Sequence, residues 1–255
     1  MSTAPKVSLG AEADVVVVGG GPGGFAAALK AARMGASVVL IEKFDMPGGV
    51  HTSGLQGSAG PGAGGIHTEL MERFDAAGYI YTASEASHPG WAGNPLSHYE
   101  RYMKPGAEFA RASFNPEGAG NVMAAMLEEA GVETFYDTGF VDAEVKDGTG
   151  NDVITSVIVE NASGRQAIRG KIFIEGTGTA ELVARAGAPF VPGGGGQPGG
   201  ADWDRVKRPV PGGLLWIMRG IEYPRLYNYQ QTSNDSLLTN LIAEASAAGD
   251  VPSML

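Results

Sequence analysis

Residues 15–18 are four consecutive valines. A β-branched run without polar alternation is the pattern of a strand buried on both faces, as in the middle of a parallel sheet. Residues 19–24 then read Gly-Gly-Gly-Pro-Gly-Gly. Residues 25–33 (FAAALKAAR) are good helix formers, Gly35 stands where a helix would be capped, and residues 37–41 form a second β-branched run. Strand, turn, helix and strand make a βαβ unit, the building block of an α/β sheet.

The same reading continues down the chain. Residues 115–131 predict a core-packing helix, with Asn115 as N-cap, Pro116 at the first position and Gly131 as C-terminal cap. Residues 133–137 would add a third parallel strand. Residues 140–146, 153–160 and 166–169 are short strand patterns divided by the turn signals DGTGND and NASG, which predicts a three-stranded antiparallel meander. A further strand is expected at 171–175. The Pro/Gly-rich stretch that begins PGGGGQPGG at residue 192 and runs to Gly213 reads as a flexible linker. Beyond it, residues 214–220 read as a strand. Residues 235–248 read as a helix with Leu237, Leu238, Leu241, Ile242 and Ala245 on one face, capped by Asn234 and stopped by Gly249. The expected organisation is a first domain over 1–191, a linker over 192–213 and the start of a second domain over 214–255.

Composition narrows the chemistry. With 43% hydrophobic residues in 255, the chain can bury a real core. A formal net charge of −10 argues against nucleic acid or an anionic membrane surface, because phosphate binding draws on clustered Lys and Arg. A small molecule or a protein is the expected partner. No Cys is present, which excludes disulfides, thiolate metal sites, a Cys nucleophile and cysteinyl attachment of a cofactor. The first residues are neither basic nor apolar, and no window approaches the roughly 18 apolar residues of a membrane span, so a cytoplasmic protein is expected.

The glycines of the βαβ turn have separate mechanical tasks. Gly19, Gly21 and Gly24 satisfy G-x-G-x-x-G: one for the tight turn, one for close approach of a pyrophosphate and one for packing helix on strand. Pro22 and Gly23 complete the cradle at the helix N-terminus, where free N–H groups and the helix dipole favour an anion. Glu42 closes the second strand, where an acidic residue accepts from ribose hydroxyls.

At this point the string DVVVVGGGPGGFAAALKAARMGASVVLIEK resembles the amino-terminal signature of FAD-dependent oxidoreductases of the glutathione-reductase and fumarate-reductase type, with two dinucleotide-binding domains. FDMPGGVHTSGL, FNPEGAGNVMAAMLEEAGVETFYDT, the strand-rich region 139–170 and KIFIEGTGTAELVARAGAPF follow in the family's order. The resemblance implies an α/β fold: a Rossmann-like parallel sheet with an antiparallel β-meander crossover, plus the start of a second, substrate domain. It implies FAD in preference to NAD, and hydride transfer between a small organic substrate and flavin N5. Beside the nucleotide it places Lys43, Gly49, the small-residue turn Gly176, Thr177 and Gly178, and Val141 near the adenine. Where the family often shows an Asp-Ala-Thr-Gly-Asp turn, this chain has Glu175, Gly176 and Thr179.

All four histidines, His51, His67, His88 and His98, fall in one stretch after Glu42. His51 is set in a segment similar to that in which succinate dehydrogenase and fumarate reductase flavoproteins join a His covalently to flavin, though here the double glycine precedes the His. Attachment to His51, or a pocket-lining or backbone-bonding role for it, are the alternatives, and noncovalent FAD is the expectation. His88, His98 and Arg101 are candidates for a proton donor or a substrate-carboxylate clamp, against a plainer role as solvated loop residues. No spacing forms a metal-ligand set. Two other readings stay open: a partner-dependent or truncated flavin-binding subunit, whose pocket a partner chain or second copy completes, and an NAD-using enzyme similar to thiazole synthases. The family's return segment to the first domain is not found before Leu255, so the chain as given is expected to be incomplete.

Overall fold

The computed structural model describes residues 7–59, 64–80, 112–146, 152–190, 213–215, 222–233, 235 and 238–250. Its centre is a six-stranded sheet. Strand β1 (Ser8–Val18) lies between β2 (Val38–Ile41) and β8 (Gly164–Glu175), parallel to both. On one side β2 pairs in parallel with β5 (Glu133–Phe135); on the other, β8 pairs antiparallel with β7 (Val153–Asn161) and β7 with β6 (Gly139–Lys146). The order is β5-β2-β1-β8-β7-β6. A small antiparallel ladder joins β3 (Ser58–Ala59) to β4 (Ala112–Ser113).

The valine run is continuous because both of its faces are covered. Val15 and Val17, with Val38 and Leu40, face a cluster containing Phe25, Leu29, Met123, Met126 and Leu127, which come from α1 (Pro22–Arg33) and α3 (Pro116–Glu129). Val16 and Val18, with Val39 and Ile41, face a second cluster containing Val157, Val159, Ile168 and Leu182. Helix α2 (Ile66–Ala76) adds Met71 and Phe74 to the first cluster. Its exposed side is tied to its neighbours by charge: Glu69 takes both guanidinium nitrogens of Arg33, at 2.6 and 2.7 Å, and Arg73 pairs with both Glu69 and Glu129.

The cap of α3 forms as its sequence predicts: the Asn115 side chain accepts from Gly118 N–H, Pro116 opens the helix and Gly131 follows it with φ +74°. Besides small shifts, such as the third parallel strand ending at Phe135, three differences from expectation have a clear physical reason. The third meander strand and the returning parallel strand are one continuous strand, β8, because its first half pairs with β7 while residues 166–175 pair with β1. Strand β1 starts at Ser8 instead of Val15, since residues 8–12 pair with the meander half of β8; the exposure of Ser8, Leu9, Gly10 and Glu12 explains why no apolar run marks them. The last described helix, Thr239–Ala248, begins later than residue 235, because the Asp235 carboxylate accepts from the Thr239, Asn240 and Leu241 N–H groups and so caps it. Gly249 ends it with φ +81°. Of the strand expected at 214–220, the described residues Leu214 and Leu215 are not in a strand, and the rest lies outside the described residues, as does the linker up to 212. No helix among the described residues is long and apolar enough to cross a membrane.

Candidate functional site

The carboxyl ends of β1, β2 and β8 meet at one end of the sheet, and a cavity of about 560 Å³ opens there. That is the general location of ligand crevices in parallel sheets.

The β1–α1 turn makes one wall. Gly19 has φ +95°, and a Cβ there would lie 2.5 Å from the Gly176 carbonyl carbon; a Cβ on Gly24 would lie 1.8 Å from the Gly19 oxygen. These two glycines, with Gly176 opposite them, are required by the chain's own packing. Gly21 and Gly23 are different. A Cβ on Gly21 would meet only the Gly176 oxygen, at an ordinary 3.7 Å, and one on Gly23 would meet nothing within 4 Å, yet both line the cavity. The space beside them is left for something other than protein. No side chain caps α1 and no acidic residue stands in its first turn, so its leading N–H groups are offered to the cavity's side of the turn.

Glu42 closes the next wall. It is buried, lines the cavity, and takes Gly20 N–H at 2.6 Å on one carboxylate oxygen and Phe44 N–H at 2.9 Å on the other. Each oxygen keeps a lone pair for a further donor. Burial, assisted by the Glu42 charge, raises the neighbouring Tyr136 phenol above its ordinary pKa. Lys43 also lines the cavity, with its Nζ 5.2 Å over the Phe44 ring. The loop after β2 is pinned by Gly48 N–H to the Gly20 oxygen at 2.8 Å, which brings Gly49 into the lining, where a Cβ would lie 3.0 Å from Gly21 Cα.

The third wall is residues 176–181, and here Gly176, Thr177 and Gly178 all line the cavity. Glu175 shapes this turn from below: it accepts Thr177 N–H at 2.5 Å and Leu182 N–H at 2.8 Å, which caps α4 (Glu181–Arg185). Thr138, Phe140 and Glu181 line the cavity as well. None of these three was singled out in the sequence. The Asp137-Thr138-Gly139 turn was the available signal for the first two: Asp137 has φ +48°, and Thr138 N–H bonds the Glu42 oxygen at 3.0 Å, locking the start of β6 to the end of β2.

Val141 sits at a bulge between Phe140 and Asp142, and Phe140, not Val141, is in the cavity lining. His51 lies in the single turn Gly49–His51, but its ring is not in the lining either. It meets Phe114 edge-on at 6.1 Å, and burial, with His67 beside it, holds its imidazole below the ordinary histidine pKa. His88, His98 and Arg101 lie outside the described residues. Among the described residues no group of His, Asp or Glu is placed to hold a metal ion.

Residues 14–232 match the family model for FAD dependent oxidoreductases. The chain is 54% identical over 39 residues to dihydrolipoyl dehydrogenase of Acholeplasma laidlawii, covering 15% of this chain and 11% of the relative. It is 32% identical over 95 residues to sarcosine oxidase subunit alpha of Rhizobium meliloti (strain 1021), covering 37% and 10%. The matched stretches thus span only about a tenth of those relatives. Among solved structures, the THI4 protein of Thermovibrio ammonificans overlaps 72% of this chain and 67% of its own at 19% identity and a TM-score of 0.49. A myxobacterial chondrochloren halogenase overlaps 68% and 39% at 17% identity, also with a TM-score of 0.49. The span of the family match, together with a glycine cradle and a buried acidic strand end at the same cavity, shows that this chain belongs to the FAD dependent oxidoreductases and takes FAD as its cofactor.

Proposed function

We propose that the cavity at the ends of β1, β2 and β8 holds FAD noncovalently, and that the intact protein, in the cytoplasm, moves a hydride between a small organic substrate and flavin N5. The observation that carries this reading is the division among the turn glycines: Gly19 and Gly24 are demanded by packing, whereas Gly21 and Gly23 leave open cavity that packing does not need.

The residues present fit the cofactor. The N–H groups at the start of α1 and the backbone of Gly21 and Gly23 would receive the pyrophosphate. Glu42, already fixed by Gly20 and Phe44, would accept from ribose hydroxyls with its remaining lone pairs. Lys43, Gly49, Gly176, Thr177 and Gly178 bound the same space, and the start of β6, at Phe140, would border the adenine. When bound, the isoalloxazine supplies the hydride chemistry, so protein side chains need only place the substrate, move a proton and exclude water. His88, His98 and Arg101, which lie outside the described residues, are candidates for those tasks. A second chain or second copy would complete the pocket; one relative is by name a subunit, sarcosine oxidase subunit alpha.

The test is the absorbance spectrum of the purified chain before and after acid precipitation. Flavin bands that move wholly to the supernatant, with the released nucleotide identified as FAD, are expected. Flavin retained in the washed pellet would contradict noncovalent binding and revive attachment to His51. Release of NAD instead would overturn the cofactor assignment for this cavity.

A further inference from the structure

The cavity would receive a diphosphate with few charged side chains of its own. Among its described lining residues the ionisable side chains are Glu42, Lys43 and Glu181. Lys43 is exposed, with its Nζ 5.2 Å over the Phe44 ring, and Glu42 is buried and held by two backbone N–H groups. Glu181 is exposed, and Thr179 Oγ1 donates to its Oε1 at 2.8 Å, which orients the carboxylate. The turn bearing it abuts the glycine cradle directly, since Gly176 N–H bonds the Val18 oxygen at 2.8 Å and a Cβ on Gly176 would lie 2.6 Å from the Gly19 oxygen. Attraction for the phosphates would therefore come chiefly from backbone donors, and of the two carboxylates in the described lining Glu181 is the exposed one.

We propose that Glu181 acts as an electrostatic brake on cofactor binding, so that this chain holds FAD through uncharged donors and against a carboxylate, and salt does not weaken the complex. The inference rests on FAD occupying this cavity. Cation-built phosphate sites lose affinity as salt rises, because Lys and Arg contacts are screened. A site with a net repulsive side chain behaves in the opposite way: screening relieves the repulsion. One carboxylate facing a diphosphate across a partly solvated cavity is worth roughly a threefold change in Kd.

The experiment uses the purified protein stripped of cofactor and titrated with FAD, following flavin fluorescence. Wild type, Glu181→Gln and Gly21→Val are compared at about 10 mM and about 1 M NaCl, where screening lengths are about 30 Å and about 3 Å. Glutamine keeps an oxygen for the Thr179 hydroxyl, so the turn is retained. The expected result is a Kd for Glu181→Gln about threefold lower than wild type at low salt, convergence of the two at high salt, and a wild-type Kd that does not rise with salt. Equal affinities at low salt, or a wild-type Kd that climbs with salt, would overturn the brake while leaving the cavity assignment intact. Wild-type affinity in Gly21→Val would overturn the cavity assignment, and this inference with it.

Discussion

Two neighbouring strand ends, β1 and β8, pass into helices at the same cavity, yet they satisfy the helix starts in opposite ways. At β1 the chain turns through glycine and proline alone, with no capping side chain and no acid in the first turn of α1. At β8 the turn carries its own acceptors: the Glu175 carboxylate takes Thr177 N–H and Leu182 N–H, and Thr177 Oγ1 takes Glu181 N–H at 3.2 Å. An uncapped helix start offers its donors to a ligand, whereas one capped by its own side chains is a wall. On the proposed reading the anion would lie at the β1–α1 turn, and the β8–α4 turn would shape the cavity.

The comparison can be broken most severely at Gly24. A valine there would place its Cβ 1.8 Å from the Gly19 oxygen, a clash with backbone that no rotamer relieves. Gly24→Val is expected to cost more than about 4 kcal/mol and to lose cooperative thermal unfolding. Retention of the wild-type Tm would mean that the turn is not packed as described.

Glu42→Ala comes next. It would leave the Gly20 and Phe44 N–H groups without their acceptor in a buried setting, a loss of about 2–4 kcal/mol in denaturant unfolding. It would also weaken FAD binding by about 1–3 kcal/mol through the lost ribose contact. A variant that loses stability but binds FAD as well as wild type would leave Glu42 a structural residue only.

Removing the cap at the other turn should do less. Glu175→Ala frees two N–H groups that water can reach more easily, for a cost of about 1–2 kcal/mol, and it should loosen FAD without abolishing it. Complete loss of FAD in a folded Glu175→Ala protein would place the anion site at β8 after all.

The smallest effect is a pH dependence. Because burial depresses the His51 pKa, the unfolded chain binds that proton more readily than the folded one. The contribution to stability is therefore full above about pH 6.5, the unperturbed histidine value, and declines as pH falls below it. Residues 49, 50 and 54 of the same loop line the cavity, so FAD retention should follow. His51→Phe is expected to flatten the Tm difference between neutral and mildly acidic buffer; an unchanged difference would assign the acid sensitivity elsewhere.

What the sequence shows of this site depends on how local the physics is. The β1–α1 turn is legible because each of its constraints lies within a few residues: a valine run, glycines at fixed offsets, a helix and an acidic strand end. The reason for Gly176 is not local. It is small because Gly19 and Gly24 press on it from a turn far away in the chain, and only the parallel pairing of β1 with β8 reveals that. The same pairing hides the first half of β1, whose residues 8–12 are held by the ladder without an apolar signature. Thr138, Phe140 and Glu181 escaped notice for a related reason, since their neighbourhood is made by the meander's return and not by spacing. His51 is the contrasting case. Its sequence setting leaves flavin attachment, pocket lining and a backbone bond open, and in the structure its ring meets Phe114 edge-on and bonds the Ser58 backbone.

The most direct measurement of the central claim is flavin occupancy of purified Gly21→Val beside wild type, with thermal unfolding as the control for folding. A Cβ at Gly21 makes no contact with protein closer than 3.7 Å, so the fold should survive with a Tm near that of the cofactor-free wild type, while the valine fills the space left for the pyrophosphate. The account predicts a folded, colourless protein. A folded Gly21→Val chain that carries FAD at wild-type occupancy would contradict it.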